Sequence, residues 1–312
     1  MKLKNLFTLS LLTFLSSLAI GQDGPGGVGD TQGNSGLQLW LKAADLETSY
    51  ANGDRVTTWQ DRSGANNHLI GTTQRAPILS HQTGQTPTSV AFNGGQYLQT
   101  SGVSSSFNNP ESTIFLVKKG AYKGAAIAIA ERGWVNEMLL FEDDQYHHSS
   151  SGNFVKQSHP CIRQIPSEEL TIIAGVFGQA PKDLRYFVNG IEASQTLQQT
   201  RSNVRDFEQV DRKITIGQRD QFVASEYFEG ELLEVIVYNR KLNDDEIQQV
   251  EQYLLCTYPI EPSVCTELSE IDCENPVSTC AILADVVDTD PLQLWLKAVS
   301  YTHLTLPTTP YV

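Results

Sequence analysis

Apolar and polar residues alternate along most of the chain between residues 36 and 258. Because side chains of a strand point to opposite faces in turn, this period of two predicts β-strands that bury one face. In the run that begins at Leu37, we expect Leu37, Leu39 and Leu41 on one face and Trp40 on the other. The other runs with this pattern are residues 55–59, 89–92, 113–117, 125–130, 138–141, 170–177, 184–188, 213–217 and 232–238.

Turn-forming residues separate these runs, mostly Gly, Asn, Asp and Ser. The strongest turn signal is the dipeptide Asn189-Gly190. Both central residues of a type I′ turn need a positive φ, which Asn and Gly tolerate better than other residues. The sequence therefore predicts a tight β-hairpin at this point.

The segment after residue 243 has helical spacing instead. Asn243 and Glu246 form the capping-box pattern of a helix N-terminus. The apolar residues that recur at helical spacing are Ile247, Val250, Tyr253 and Leu254. Pro259 is expected to end this helix. About ten short strands and one terminal helix over roughly 220 residues predict a single large β-sandwich.

The heptapeptide Leu-Gln-Leu-Trp-Leu-Lys-Ala occurs twice, at residues 37–43 and 292–298. A chance repeat of this length is rare, so we interpret residues 291–298 as the start of a truncated second copy of a module. Residues 299–312 do not continue that copy and are interpreted as a non-native tail. The full-length protein is therefore expected to carry tandem modules.

The N-terminal 21 residues have the features of a secretory signal peptide. Lys2 and Lys4 precede an apolar stretch at residues 6–20, and a small-residue cleavage site follows at residues 19–21. We therefore expect a secreted protein. Residues 22–35 are polar and rich in Gly, so we expect a flexible leader that buries no core. No later run reaches the roughly 18 apolar residues of a transmembrane helix.

The chain is acidic, with 36 Asp and Glu residues against 22 Lys and Arg residues and a net charge of −14. Loss of the signal peptide removes Lys2 and Lys4 and makes the net charge −16. An acidic surface repels the phosphates of nucleic acids and of anionic lipids, so neither is an expected partner. The same surface is compatible with bound cations.

The cysteines are unevenly placed. Cys161 lies alone within the predicted sandwich, whereas four others cluster at its end and in the stretch that follows, namely Cys256, Cys265, Cys273 and Cys280. In a secreted chain this cluster predicts a disulfide-containing linker. Four cysteines allow three pairings, and Cys161 is either a buried free thiol or the partner of one of them, so the pairing stays open. The lack of a Cys-x-x-Cys spacing argues against a zinc ribbon.

Four segments in order resemble laminin-G-like, concanavalin A-like jelly-roll modules of bacterial secreted proteins. They are the heptapeptide at 37–43, the turn-rich stretch 52–68, the run 90–98 and the run 230–240 before the capped helix. The resemblance covers residues 36–258 and implies an all-β fold, a concanavalin A-like jelly-roll β-sandwich with one C-terminal α-helix. This fold hosts lectins, hydrolases and structural modules, so it does not determine the ligand.

The Gly-rich leader also resembles that of surface proteins from bacteria that export through a C-terminal sorting domain. That resemblance implies attachment to the cell surface through a missing C-terminal region. The expected organisation is a signal peptide at 1–21, the leader at 22–35, the jelly-roll domain at 36–258, a Cys-containing linker at 259–290, the start of a second repeat at 291–298 and the tail at 299–312.

A jelly-roll glucanase needs paired carboxylates, which lie about 5–5.5 Å apart in a retaining enzyme. The nearest candidates are Glu229, Glu231 and Glu234, but they lack the central Asp of that family's pattern. Glu234 is also expected on the opposite face of the strand from the other two. Cys161 and the serines at 149–151 lack the partners of a catalytic nucleophile and are interpreted as loop residues. No catalytic residue is therefore assigned, and a glycoside hydrolase remains an alternative.

Residues 142–148 combine three acidic side chains with two histidines just after a predicted strand. Carboxylates suit Ca²⁺ and imidazoles suit transition metals, so a mixed cluster fits neither kind of ion cleanly. An exposed hairpin tip without a metal is therefore the simpler interpretation. Laminin-G-like modules often hold a rim Ca²⁺, and by that resemblance Asp143 and Asp144 are candidate metal ligands. Asp61 is another candidate, although Asp61 before Ser63 also predicts an Asx-turn that caps its own backbone.

Sugar-binding modules of this fold stack an aromatic ring on a sugar and bind its hydroxyls with amides and carboxylates. The candidate ligand-binding residues are Trp134 in a predicted loop, and Tyr146 and His147 in the acidic loop. Trp40 and Trp59 are expected in the core. We therefore expect a secreted, non-catalytic binding or adhesion module, with glycans or surface and matrix proteins as partners. A structural spacer or protein-docking module is the alternative.

Overall fold

The computed structural model describes residues 22–81, 87–108, 111–120, 124–130, 137–142, 145–150, 153–158, 169–179, 183–193, 197–199, 211–219, 227–258 and 260. Within them the strands are β1 (Leu37–Lys42), β2 (Thr58–Trp59), β3 (Leu69–Ile70), β4 (Ile78–Ser80), β5 (Ser89–Asn93), β6 (Leu98–Gln99), β7 (Ser112–Lys119), β8 (Ile127–Ala130), β9 (Glu137–Glu142), β10 (Gln145–Ser150), β11 (Asn153–Ser158), β12 (Thr171–Phe177), β13 (Leu184–Val188), β14 (Ile191–Glu192), β15 (Leu197–Gln199), β16 (Lys213–Ile216) and β17 (Glu229–Tyr238). The α-helix among these residues is α1 (Asp244–Thr257).

The described strands form two antiparallel sheets. The first sheet has the order β14-β13-β12-β7-β17-β5-β4, and β1 pairs with the second half of β17. The second sheet has the order β15-β11-β10-β9-β8-β16-β6-β3-β2. Side chains from both sheets enter one buried cluster, for example Leu116 and Val235 from the first sheet and Ile129 and Ile214 from the second. The prediction of an all-β sandwich with one C-terminal helix is confirmed.

A third layer covers the outer face of the first sheet. The predicted apolar face of α1 is buried there, with Val250 and Leu254 in the same cluster as Phe115 and Ile236 of the sheet. The capping box is present: the Asn243 side chain accepts from the Glu246 N–H at 2.9 Å, and Glu246 accepts from the Asn243 N–H at 3.0 Å. None of the described helices is long and apolar enough to cross a membrane.

A bulge in β1 corrects the predicted arrangement of its side chains. The register with β17 shifts between Leu37 and Leu39, which adds one residue to β1. Leu39 and Leu41 therefore point into the sandwich, whereas Leu37 joins Trp40 in the outer cluster. The prediction that Leu37 shares a face with Leu39 is wrong, and the prediction that Trp40 is a core residue is confirmed, since 6% of it is exposed.

The prediction that residues 22–35 form a flexible leader is also wrong. Val28 is buried in the outer cluster, and its carbonyl accepts a 3.0 Å hydrogen bond from the hydroxyl of Tyr238. Gly26 has φ 64, and a Cβ at this position would lie 2.4 Å from the carbonyl oxygen of Gln249 in α1. Glycine therefore lets the leader turn tightly against the helix backbone, so this Gly-rich segment packs instead of remaining free.

Several strands differ from the alternation pattern. The predicted run 55–59 is a strand only at Thr58–Trp59, and β17 begins three residues earlier than predicted. The strands that the pattern missed are mostly short, such as β3, β4, β6 and β14. The hairpin at Asn189 and Gly190 is confirmed, because both residues have positive φ, 49° and 82°.

A buried carboxyl group joins β17, β1 and α1. Glu234 of β17 is 1% exposed, and it accepts from Trp40 Nε1 at 2.7 Å, the Tyr253 hydroxyl at 2.9 Å and the Tyr258 hydroxyl at 2.7 Å. Burial raises the pKa of Glu234, while Lys42 and the three donors act in the opposite direction. Burial and the charge of Glu234 raise the pKa of both tyrosines, so their hydroxyls remain donors. The three donors replace the water that this group loses on burial.

A second buried carboxyl group belongs to α1 itself. Glu251 is 7% exposed, and within the described residues its Oε1 atom has no hydrogen-bond partner. The nearby guanidinium of Arg185 instead bonds Glu192 and Asp244. Burial raises the pKa of Glu251 from 4.5 to about 8, against the attraction of Arg185. At neutral pH the side chain is therefore mostly protonated.

The Glu234 cluster predicts an unequal effect of two isosteric substitutions. Tyr258→Phe removes a donor to a buried carboxyl group, so we expect a loss of roughly 1.5–3 kcal/mol in the free energy of unfolding. Tyr238→Phe removes a donor to a neutral carbonyl, so we expect roughly 0.5–1.5 kcal/mol. Guanidinium melts of the two variants measure the difference. Equal losses in the free energy of unfolding would show that the hydrogen bond to Glu234 stabilises the fold no more than the hydrogen bond to a neutral carbonyl.

Glu251 predicts a pH dependence of stability. Since its pKa is about 8 in the folded chain and near 4.5 when unfolded, its stabilising contribution is complete below pH 4.5 and is lost as the pH rises through 8. Because glutamine does not ionise, Glu251→Gln should remove this fall in the free energy of unfolding, which amounts to at most about 1.4 kcal/mol per pH unit. The variant should therefore be more stable than the native chain at pH 9. Urea melts from pH 5 to pH 9 test this, with the exposed Asp245→Asn on the same helix as the control. An unchanged slope in Glu251→Gln would refute the assignment.

Candidate functional site

Most of the candidate site residues from the sequence lie outside the described residues. These are Trp134, Asp143, Asp144 and Cys161, together with Cys265, Cys273 and Cys280. Cys256 is half-buried in the last turn of α1. In the described part of the chain, no three side chains of His, Cys, Asp or Glu come together as a group that could hold a metal ion. The Ca²⁺ assignment to Asp143 and Asp144 and the disulfide pairing stay predictions.

The backbone corrects the placement of Tyr146 and His147. Both lie in β10, which pairs with β9 on one side and β11 on the other, instead of in an exposed loop. Ser149 and Ser150, also interpreted as loop residues, belong to the same strand. The alternation rule missed this strand because its sequence, Gln-Tyr-His-His-Ser-Ser, has no apolar face.

Asp61 is a structural residue of the turn after β2. Its Oδ1 accepts from the N–H groups of Trp40 and Ser63, both at 2.9 Å, and its Oδ2 accepts from the Ser63 hydroxyl and the Asn67 N–H. The carboxylate thus has four donors, and it holds the turn against the free edge of β1. This geometry fits the Asx-turn interpretation and occupies the oxygens that a cation would need.

Glu231 and Glu234 of β17 do not form an open pair. The register between β17 and β7 shifts between Leu232 and Glu234, so a bulge puts Glu234 on the same face as Glu231. The prediction of opposite faces is therefore wrong. Glu234 is enclosed by Trp40 and the two tyrosines of the α1 end, while Glu231 accepts a 2.6 Å hydrogen bond from Ser89. A glycosidic bond cannot reach between these two groups as they stand.

The first residues of β17 lie at one end of the sandwich, in a group that we call the β17 rim: Arg75, Asn93, Tyr227, Glu229 and Glu231. Arg75 donates to the Tyr227 hydroxyl at 2.7 Å, and its guanidinium carbon lies 5.8 Å from the centroid of that ring. The turn after β5 joins this pair to the acidic residues, because Gly95 accepts from Arg75 at 3.4 Å and Gly94 lies against the Glu229 side chain. One turn thus connects an aromatic, a cation and a carboxylate.

Close backbone packing fixes the β17 rim. The residue after β7 lies so close to the start of the paired strand β17 that a Cβ at Gly120, where φ is 111, would lie 2.5 Å from the Cα of Gly230. Next to this contact is a small cavity of about 150 Å³, whose lining includes Asn93, Lys119 and Glu231. Tyr227 is partly exposed and Asn93 is exposed. The rim therefore offers fixed polar groups and an aromatic ring to solvent.

Sequence reasoning did not single out Arg75 or Tyr227. They are 152 positions apart in the chain, so no local motif joins them. The one available signal was the position of Tyr227 just before the acidic start of β17, where a tyrosine in a polar stretch precedes Glu229 and Glu231.

Solved structures include chains that are similar to this one. Among these structures, the chain is similar to domain 4 of AbnA, a GH43 extracellular arabinanase from Geobacillus stearothermophilus in complex with arabinotriose, with 13% identity and a TM-score of 0.44 over 69% of this chain and 97% of that one. It is also similar to Trypanosoma rangeli sialidase in complex with 2,3-difluorosialic acid, with 15% identity and a TM-score of 0.43 over 74% of this chain and 35% of the sialidase. These similarities carry no argument about the ligand.

No curated protein sequence matches the chain. The laminin G family described as the concanavalin A-like lectin/glucanases superfamily matches residues 92–248, just over half of the chain. The match runs from the middle of β5 into α1, and so includes the strands that form the centre of both sheets. The chain belongs to the concanavalin A-like lectin/glucanases superfamily.

Proposed function

We propose that the chain is a secreted, non-catalytic carbohydrate-binding module that acts in adhesion. The observation that carries this proposal is the β17 rim, where the partly exposed Tyr227 lies near Asn93 and Glu229 on rigid strand ends. An aromatic ring can pack against the apolar face of a sugar, while amides and carboxylates bond its hydroxyls. A few fixed polar groups then set the orientation of the ligand.

The environment of the acidic residues supports a non-catalytic role. A retaining glycosidase needs two carboxyl groups that face one cleft. Glu234 instead holds β1 and α1 in place, and Glu231 is bonded to Ser89. Glu231 and Glu234 therefore do not act together as an acid pair, and the carboxylates of the rim are suited to bind hydroxyl groups.

The proposal includes the features that the sequence alone suggested. Residues 1–21 would direct secretion, and a C-terminal region would attach the protein to the cell surface. The repeat at residues 292–298 would begin a further module, so several sites would act together and raise the avidity. Trp134, Tyr146 and His147 would extend the binding surface, and Asp143 and Asp144 would hold Ca²⁺ beside it.

A glycan array tests the proposal with the full chain, in Ca²⁺ and again in EDTA. We expect selective binding to a set of glycans and a loss of about tenfold or more in affinity for Tyr227→Ala, since each 1.4 kcal/mol corresponds to a factor of ten. Tyr227→Phe is the matched control, because it keeps the ring and should keep most of the affinity. Thermal melts establish that both variants fold.

Two results would overturn parts of this proposal. If no glycan binds under either condition, carbohydrate recognition is wrong, and a protein-docking or spacer role replaces it. If binding persists unchanged in Tyr227→Ala, the ligand does not use the β17 rim. A loss of binding in EDTA would support the Ca²⁺ ligands Asp143 and Asp144, whereas equal binding in both conditions would contradict them.

A further inference from the structure

A second and larger cavity lies beyond the other end of β17, between the leader and the N-terminus of α1. Its volume is about 520 Å³, which is within the range of small-molecule sites. One wall is the leader, and the other is Arg240 with the first turns of α1 as far as Gln249. Since β17 has ten residues, about 30 Å of strand separates this leader–helix pocket from the β17 rim.

The leader wall is held in a fixed conformation. Asp30 is 3% exposed, and its Oδ1 accepts from the N–H groups of Gln32 and Asn34 at 2.8 and 3.1 Å. The N–H of Asp30 donates to the Ser35 hydroxyl at 2.9 Å. Together with the bond from Tyr238 to Val28, these contacts fix the loop before any ligand binds. Preorganisation of this kind lowers the entropic cost of binding.

The helix wall has its own internal partners. Arg240 forms two hydrogen bonds with the Glu246 carboxylate, at 2.8 and 2.7 Å, and lowers the pKa of that group. Glu246 is in addition the capping-box acceptor for Asn243. The charged groups at the back of the pocket therefore neutralise and orient each other.

Other polar groups of the pocket have unused hydrogen-bonding capacity. In the part of the chain that the structure describes, no hydrogen bond engages the side chains of Asn34, Asp245 or Gln249, and all three are exposed. Asp30 uses one carboxylate oxygen for the loop, and its other oxygen has no partner there either. Two amides and two carboxylates thus converge on the same space.

We propose that the leader–helix pocket binds a neutral saccharide, at most a disaccharide, as a second site separate from the β17 rim. Amides and carboxylates bond the paired hydroxyls of a sugar, and none of the described residues that line the pocket is aromatic. Asp30, Asp245 and Glu246 outnumber Arg240, so the pocket repels uronic acids, sialic acids and phosphates. The choice of a sugar rests on the proposed function, whereas the location and the charge preference rest on the pocket.

Two sites at opposite ends of one strand change how the module can bind a glycan. A single chain could contact two points of a polysaccharide, or it could join two glycans. Because the second contact becomes intramolecular, the overall affinity rises above that of either site. Without an aromatic ring to stack on, the pocket alone should be weak, with a Kd on the order of 1 mM.

Nuclear magnetic resonance titration of the ¹⁵N-labelled full chain tests the proposal. The probes are maltose, cellobiose and lactose as neutral sugars and glucuronic acid as the charged one. We expect saturable shifts of the Asn34 and Gln249 amides with at least one neutral sugar and none with glucuronic acid. Gln249→Ala should weaken this binding about tenfold. Gln248→Ala is the matched control, because it is the same residue type, exposed on the same helix and outside the pocket.

The titration separates failure of this inference from failure of the proposed function. Any of three results would overturn the pocket site. They are the lack of a shift of the Asn34 and Gln249 amides with every neutral sugar, equally strong binding of glucuronic acid, and an unchanged affinity in Gln249→Ala. Pocket shifts that persist in Tyr227→Ala would support it as an independent site. If sugars bind and only Tyr227→Ala abolishes the binding, the proposed function stands and the pocket assignment is wrong.

Discussion

The burial of the Glu234 carboxyl group is the constraint on which the outer half of the structure depends. A carboxyl group deprived of water is costly unless donors replace the water. The three donors here are Trp40 on β1, Tyr253 on α1 and Tyr258 directly after α1. These hydrogen bonds tie β17, β1 and the C-terminal end of α1 together. The leader packs on the same helix through Val28 and Gly26, and the leader–helix pocket lies between the two.

Local signals in the sequence predicted local structure well. The capping box at Asn243 and the hairpin at Asn189 each depend on a few adjacent residues, and both were confirmed. The faces of β1 and β17 were wrong beyond their bulges, because one added residue reverses the alternation from that point on. The Gly-rich leader was predicted to be free because composition says nothing about a distant helix against which glycine can pack.

The candidate site was harder to predict than the fold for a related reason. A rim consists of residues from separate loops, and the contact between Arg75 and Tyr227 spans 152 positions of the chain. Tyr146 and His147 were chosen as loop residues because their segment is polar, yet a polar strand can be held between two neighbours by backbone hydrogen bonds alone. Sequence pattern finds strands through their buried face, and a strand without such a face gives no signal.

The acidic residues of β17 show how position decides the role of one residue type. Glu229 and Glu231 lie at the start of the strand, where it pairs with β5, and Glu234 lies where α1 and β1 cover the sheet. The bulge between Leu232 and Glu234 puts these groups on one face, which is the arrangement a glucanase would need. Glu234 is covered by α1 and β1, and its three hydrogen bonds give this carboxyl group a structural role. The start of β17 presents the polar side chains of the rim, and beyond its other end the leader and α1 enclose a polar pocket, so both ends of one strand carry fixed polar groups.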